Sequence, residues 1–268
     1  LGKKIGIVGH GYVGKIMEKL FKDHFPVEIH DPKYNITDSK AKVNECDLAI
    51  ICVPTPMKES GDVDLSHVLE VFTWLKTPLI LIKSTVLPGT TEILSNMCRT
   101  KYAFSPEYVG EGKYVTQWWK DKGYPHPTDV KFHDFQIFGG DRDVTSRIIE
   151  FFKVVLGPEH KYIQTDSKTA ELVKYMQNSW GSMKVTFCNE FAKIAETLGV
   201  DYNELRELWL LDGRTERMHT LVYKDNGGFG GKCLPKDVNG IVTHCIHKGY
   251  TPELLQQVLK SNEVFSDK

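Results

Sequence analysis

At 268 residues, with 41% hydrophobic and 26% charged residues, the chain has an ordinary globular composition and length for one large or two modest domains. Its 34 basic and 35 acidic residues give a formal net charge of −1, so no global field gathers nucleic acid or acidic lipid and an anionic ligand must be held locally. No stretch approaches the ~20 apolar residues of a membrane span, and no cysteine or histidine pair has metal-ligand spacing. The six scattered cysteines fit a reducing, cytoplasmic compartment.

In chain order, residues 3–8 form an apolar run that reads as a strand rather than a leader and ends in Gly9-His10-Gly11-Tyr12-Val13-Gly14. A helical pattern follows to about His24, then an apolar strand, Val27–His30, closed by Asp31. Leu48–Val53 and Leu79–Ile82 repeat the theme, with helical stretches between, and Tyr102–Phe104 and Phe135–Phe138 read as further strands. Short continuous apolar runs suit a parallel sheet buried on both faces, which predicts a doubly wound, Rossmann-type α/β domain over residues 1–164. Residues 112–133, with two tryptophans and many lysines, read as a long loop near the site.

From Asp166, an expected N-cap, helical periodicity runs to about Leu198 without a proline. Such a helix is about 45–50 Å long, too long for the core of a small domain alone, and is expected to link domains or to build a homodimer interface. Gly199 has the place of a C′ glycine, and Asp201 that of the next N-cap. A loop over 212–232 rich in Gly, Arg and Lys precedes two helices after Pro235 and Pro252, giving a helical domain over 165–268.

A G-x-G-x-x-G turn alone is a weak signal. Here it follows a strand, opens a helix and meets an acid at the end of the next strand. Gly9 permits the tight turn, Gly11 lets backbone approach a pyrophosphate, and Gly14 lets helix and strand pack closely, with Tyr12 and Val13 between them. The helix N-terminus supplies N–H groups and partial positive charge. Asp31 accepts hydrogen bonds from ribose hydroxyls and repels a 2′-phosphate, which favours NAD over NADP, although Lys33 offsets part of that repulsion.

Five further segments, in order and at matching spacing, resemble the UDP-glucose/GDP-mannose dehydrogenase family. They are Val53-Pro54-Thr55-Pro56, Lys83 to Thr90 (KSTVLPGT), Ser105 to Gly112 (SPEYVGEG), Thr169 to Asn178 (TAELVKYMQN) and Gly228 to Asp237 (GFGGKCLPKD). The resemblance implies oxidation of the C6 alcohol of a nucleotide sugar to a carboxylate, with two NAD reduced. In that scheme Cys233 is the nucleophile that carries a thiohemiacetal and then a thioester; Lys232 and Lys236 flank it, and Pro235 is placed as the first residue of a helix, which favours the thiolate. Lys174 and Asn178, four apart on one helix face, correspond to the pair that stabilises the oxyanions. Glu107 corresponds to the acid/base of thioester hydrolysis, with Thr85 and Asp237 placing the water.

The same resemblance puts Val53, Pro54, Thr55, Ser84, Thr85, Glu111 and Lys236 on the cofactor. It puts Tyr108, Val109, Lys224, Gly228, Phe229, Gly230 and Gly231 along the sugar beside Lys174 and Asn178. Arg217 corresponds to an arginine that reaches a neighbouring subunit's sugar, with Arg214 as its rival. Three features depart from the pattern: Lys232 stands where a small residue is usual, Ser179-Trp180 follows Asn178 in place of a small-aromatic pair, and the family's third, nucleotide-gripping domain is not in this sequence. UDP-glucose is the first expected substrate and a UDP-N-acetylhexosamine the second. The competing readings are a two-electron β-hydroxyacid dehydrogenase of the 6-phosphogluconate type, which needs no cysteine in a glycine loop, and an NAD-binding module without turnover.

Overall fold

The computed structural model describes residues 2–34, 39–97, 101–109, 130, 133–223 and 227–266. The chain divides into two compact units, Leu1–Thr55 with Asp64–Lys174 and Pro56–Val63 with Tyr175–Lys268. The division falls inside the long helix rather than before it, and a short segment near residue 60 belongs to the second unit.

The first unit is built on a seven-stranded sheet in the order β2-β1-β3-β4-β5-β6-β7. The strands are β1 (Ile5–Val8), β2 (Val27–His30), β3 (Leu48–Ile51), β4 (Leu79–Ile82), β5 (Tyr102–Phe104), β6 (Phe135–Gly140) and β7 (Lys161–Thr165). The first five are parallel, as expected; β6 runs antiparallel to β5, and β7 parallel to β6. Strand-by-strand alternation divides the apolar side chains cleanly. Ile5, Ile7, Leu48, Ile50, Leu79 and Leu81 pack on one face with α1 (Tyr12–Phe21) and, later in the chain, the helix Arg142–Leu156. Val8, Ala49, Ile51, Ile80 and Ile82 pack on the other, against α2 (Lys40–Asn44), α3 (Ser66–Trp74) and α4 (Thr90–Met97). Each of the larger side chains, fully buried, contributes about 1.5–3 kcal/mol.

Arg142–Leu156 is α5, capped by Asp141, whose carboxylate accepts the Asp143 N–H at 3.0 Å. Helix α6, Ser167–Leu198, has 32 residues and so spans about 48 Å. Asp166 caps it as anticipated, accepting from the Thr169 N–H at 2.8 Å and the Thr169 hydroxyl at 2.6 Å. Its start is pressed against β6: a Cβ on Gly139 would lie 2.5 Å from Ala170 Cβ and 2.8 Å from the Asp166 carbonyl. Three residues before the division, Glu171 is fully buried and reaches from α6 to cap α4, accepting the N–H groups of Gly89 at 2.5 Å and Thr91 at 2.8 Å.

In the second unit Gly199 ends α6 in the left-handed region (φ 69°), and Asp201 caps α7 (Tyr202–Trp209) by accepting the Asn203 N–H at 2.9 Å. Two C-terminal helices follow, α8 (Leu234–His247) and α9 (Glu253–Ser266). The segment 56–63 folds as a small hairpin with a Met57–Val63 bridge and lies on α8, where a Cβ on Gly240 would come 2.6 Å from Val63.

Two stability predictions follow from this packing. Gly139→Ala overpacks the β6–α6 junction and is expected to cost about 1–3 kcal/mol, read as a lowered denaturant midpoint. Asp166→Ala removes the α6 cap and is expected to cost about 1 kcal/mol in the same measurement, and Asp166→Asn to recover most of it.

Candidate active site

The glycine turn stands at the C-terminal end of β1, one strand in from the sheet edge, where the strand order switches direction between β2 on one side and β3 on the other. Gly9 has φ 89°, and a Cβ there would lie 2.8 Å from the backbone of Cys52 and Val53. A Cβ on Gly14 would lie 2.0 Å from the Gly9 carbonyl oxygen, so α1 can approach β1 only through glycine. Gly11 is different: among the described residues no atom lies within 4 Å of its Cβ position, and as N-cap of α1 it makes no side-chain hydrogen bond. The turn therefore leaves open the one glycine that must face a pyrophosphate, with the α1 N-terminus beneath it. Asp31 fits both a structural and a binding role. Its Oδ2 accepts the His10 N–H at 2.6 Å, fixing the turn, and its Oδ1 accepts the Lys33 N–H at 2.9 Å. These residues fit an adenine dinucleotide. Tyr12 and Val13, half-buried, form the first turn of α1.

The ends of β3 and β4 are tied together by the polar residues assigned to the cofactor. The Thr55 hydroxyl donates to the Thr85 carbonyl at 2.8 Å, and the Ser84 hydroxyl to the Val53 carbonyl at 2.7 Å. Thr55 and Ser84 are buried, Val53 and Thr85 half-buried and Pro54 exposed.

Glu107 follows β5 and is the centre of a buried polar cluster. Its Oε1 accepts the N–H groups of Tyr108 and Val109, both at 3.0 Å, and Lys83 Nζ lies 3.2 Å from Oε2. Lys174 reaches the same segment from α6, donating to the Glu107 carbonyl at 2.5 Å with its ammonium 5.7 Å from the Tyr108 ring centroid. Burial pushes the Glu107 carboxyl up, but Lys83, the Val109 N–H and Lys174 outweigh it and hold the group below the usual carboxylate range. Burial, with the Glu107 charge, pushes the Tyr108 phenol up to about 12. The Val109 side chain joins the core of the first unit, so with its N–H engaged by Glu107 it presents little to a ligand.

In the second unit Cys233 is exposed and is the N-cap of α8, with Pro235 as the second helical residue rather than the first. A helix N-terminus favours negative charge, as a thiolate needs. One turn later Asp237, 1% exposed, accepts from Asn178 Nδ2 at 2.5 Å and pairs with Lys236. Asn178 retains a second amide hydrogen. The Lys236 ammonium, assigned above to the cofactor, is turned to Asp237, while Lys232 is exposed. By helix geometry Lys174 and Asn178 lie one turn apart on the same face of α6. Among the other cysteines, Cys46 and Cys188 are buried, and burial pushes the Cys46 thiol up to about 11 and the Cys52 and Cys188 thiols up.

The glycine loop before Cys233 is not uniform. Gly228 has φ 76° and is packed on α9, where a Cβ would lie 2.6 Å from Asn262 Oδ1 and Ser266 Oγ. Phe229 is buried and held by Asn262, which accepts its N–H at 2.6 Å and donates to its carbonyl at 2.9 Å. Among the described residues nothing lies within 4 Å of the Cβ positions of Gly230 and Gly231. The open part of this loop is thus Gly230–Gly231, while the Phe229 N–H is committed to the fold. Arg217 makes a two-pronged pair with Glu207, at 2.8 Å on each side, and Arg214 pairs with Asp212. Glu111, Lys224, Cys98 and most of the expected loop over 112–133 lie outside the described residues.

Two residues of this region had no role assigned from sequence. Lys83 is 2% exposed, and the signal for it was a lysine directly after an apolar strand. Asn262 is a polar residue inside α9, for which the sequence pattern carries no signal.

The comparisons with known proteins agree with this architecture. The description "UDP-glucose/GDP-mannose dehydrogenase family, NAD binding domain" matches residues 15–122, and that family's central domain matches residues 168–264. GDP-mannose 6-dehydrogenase of Pseudomonas savastanoi pv. phaseolicola is 29% identical over 245 residues, covering 84% of this chain and 52% of the relative. UDP-glucose 6-dehydrogenase of Rickettsia bellii is 30% identical over 233 residues, covering 83% and 50%. The chain thus spans about half the length of these relatives. Among solved structures, a UDP-glucose dehydrogenase from Pyrobaculum islandicum superposes with TM-score 0.79 at 24% identity, over 98% of this chain and 68% of that one. A 3-hydroxyisobutyrate dehydrogenase from Mycobacterium tuberculosis shares the fold at TM-score 0.67 and 17% identity, over 97% of this chain and 92% of that one. With both domain matches in sequence order and the glycine turn shaped for a dinucleotide, the chain belongs to the UDP-glucose/GDP-mannose dehydrogenase family and carries its NAD-binding and central domains.

Proposed function

We propose that this chain carries the chemistry of an NAD-dependent nucleotide-sugar 6-dehydrogenase, a four-electron oxidation with Cys233 as covalent nucleophile and UDP-glucose as first substrate. The observation that carries the reading is the exposed Cys233 at the start of α8, in a glycine loop and one turn before the buried Asp237 that holds Asn178. Bound NAD supplies the hydride acceptor. The residues do the rest: Lys174 and the free amide hydrogen of Asn178 stabilise negative oxygen as the alcohol is oxidised and as the thiolate adds to the aldehyde. Glu107, held as a carboxylate, takes a proton from the water that hydrolyses the thioester. The remaining assignments, including Thr85, Asp31, Glu111, Tyr108 and Lys224, stand as parts of this proposal.

The fold shared with 3-hydroxyisobutyrate dehydrogenase keeps a second reading in play, a two-electron oxidation of a small hydroxyacid. The two differ in electron count. Two NADH per sugar are expected from the wild type, with the second lost in Cys233→Ser; a yield of one, the same in both proteins, excludes the covalent route.

We further propose a homodimer through α6. Met176, Trp180, Phe187, Phe191, Ile194 and Leu198 are all exposed, by 39–75%, and at 100° per residue they fall within about 60° of each other. A continuous apolar stripe of this kind marks an interaction surface. Phe187→Glu at its centre is expected to shift sedimentation from dimer to monomer; a monomeric wild type rejects the proposal.

A further inference from the structure

Lys83 has no part in the scheme above, yet it occupies a costly place for an ammonium. Its side chain is 1% exposed, directly after β4, and a buried cation persists only when paired and hydrogen-bonded. Its neighbours meet that need: Ser105 Oγ at 3.2 Å, the Pro106 carbonyl at 3.4 Å and Glu107 Oε2 at 3.2 Å. The two carboxylate oxygens of Glu107 are thereby made different. Oε1 is occupied by the Tyr108 and Val109 N–H groups, whereas Oε2 is buried and faces the Lys83 ammonium at 3.2 Å, with no other donor on it among the described residues.

We propose that Lys83 is a positioning residue that keeps Glu107 a carboxylate and keeps its Oε2 open to accept a proton. This deepens the reading of Glu107 as the base of thioester hydrolysis and rests on it. In that step the water oxygen bonds to the thioester carbon, its proton passes to Oε2, and the C–S bond breaks with the electron pair leaving on sulfur. No oxidant or reductant is required.

The other groups facing Glu107 do not replace Lys83. Lys174 spends its close contact on the Glu107 carbonyl and is only half-buried, hence more screened. Burial pushes the His133 imidazole down, so it brings no second cation at neutral pH, and the Tyr108 phenol and Cys52 thiol are pushed up and stay uncharged. Lys83 is the buried cation on the carboxylate itself.

The test reads the Glu107 proton directly, by NMR of protein labelled with 13C at the glutamate carboxyl and assigned against Glu107→Gln. In the wild type the signal is expected to stay that of a carboxylate between about pH 5 and 9. In Lys83→Met proton affinity should rise at least tenfold, and Lys83→Arg should restore it. A wild-type Glu107 that titrates at or above the usual carboxylate range overturns the proposal without any variant, as does a Lys83→Met protein titrating like the wild type. With nucleotide sugar and NAD, Lys83→Met should release both NADH of the first turnover normally, as a burst of two per site, and then turn over more slowly, by about 10²-fold in kcat, with the enzyme held as thioester and the optimum moved to higher pH. A wild-type steady-state rate with no burst overturns the catalytic part. An altered titration in a protein that never reduces NAD sinks the dehydrogenase reading and leaves the Lys83–Glu107 coupling standing.

Discussion

The constraint on which the first unit depends is that its central strands are buried on both faces. Strands β1, β3 and β4 have four residues each, all buried, and their side chains alternate between two separate apolar clusters. No position within them can hold a charge without costing several kcal/mol. Chemistry is therefore confined to the residues after each strand ends. The glycine turn follows β1, Asp31 follows β2, Thr55 lies four residues beyond β3, and Ser84 and Thr85 lie just beyond β4. Lys83 is the exception that defines the limit, a charge only one residue past an apolar strand and tolerated because Glu107 and Ser105 meet it there.

Much of this was readable from the sequence because the same constraint writes itself as short apolar runs. The strands up to β5, the Asp166 and Asp201 caps, Gly199 and the two final helices all stand where the residue pattern put them. What could not be read has a physical cause. β7 is an edge strand with no fully buried position and a lysine at its start, so its pattern is no different from a loop's. The reversal between β5 and β6 depends on a connection of irregular composition, and no periodicity encodes direction. The compact units divide within α6 rather than before it, because the first turns of that helix belong with β6 and α4 through Gly139 and Glu171.

At the candidate site, residue types were legible and their commitments were not. Asp237 and Asn178 could each be singled out, but not that one holds the other at 2.5 Å. Lys236 and Arg217 carry charges that sequence reading assigns outward to ligands, whereas each is turned to an acid of its own chain, Asp237 and Glu207. The glycine loop reads as uniformly permissive, yet Gly228 and Phe229 are fastened to α9 and only Gly230 and Gly231 face open space. Long-range partners of polar side chains leave no trace in local pattern, which is why these distinctions required coordinates.

The fastening of Phe229 by Asn262 has a consequence for the order in which the molecule acquires its shape. Both hydrogen bonds to that peptide come from a side chain 33 residues further along. During synthesis from the N-terminus the segment leading to Cys233 emerges well before the groups that hold it, and it can settle only after α9 has left the ribosome. The Cys233 loop can thus find its conformation only after α9 is made, however early the sheet of the first unit has formed.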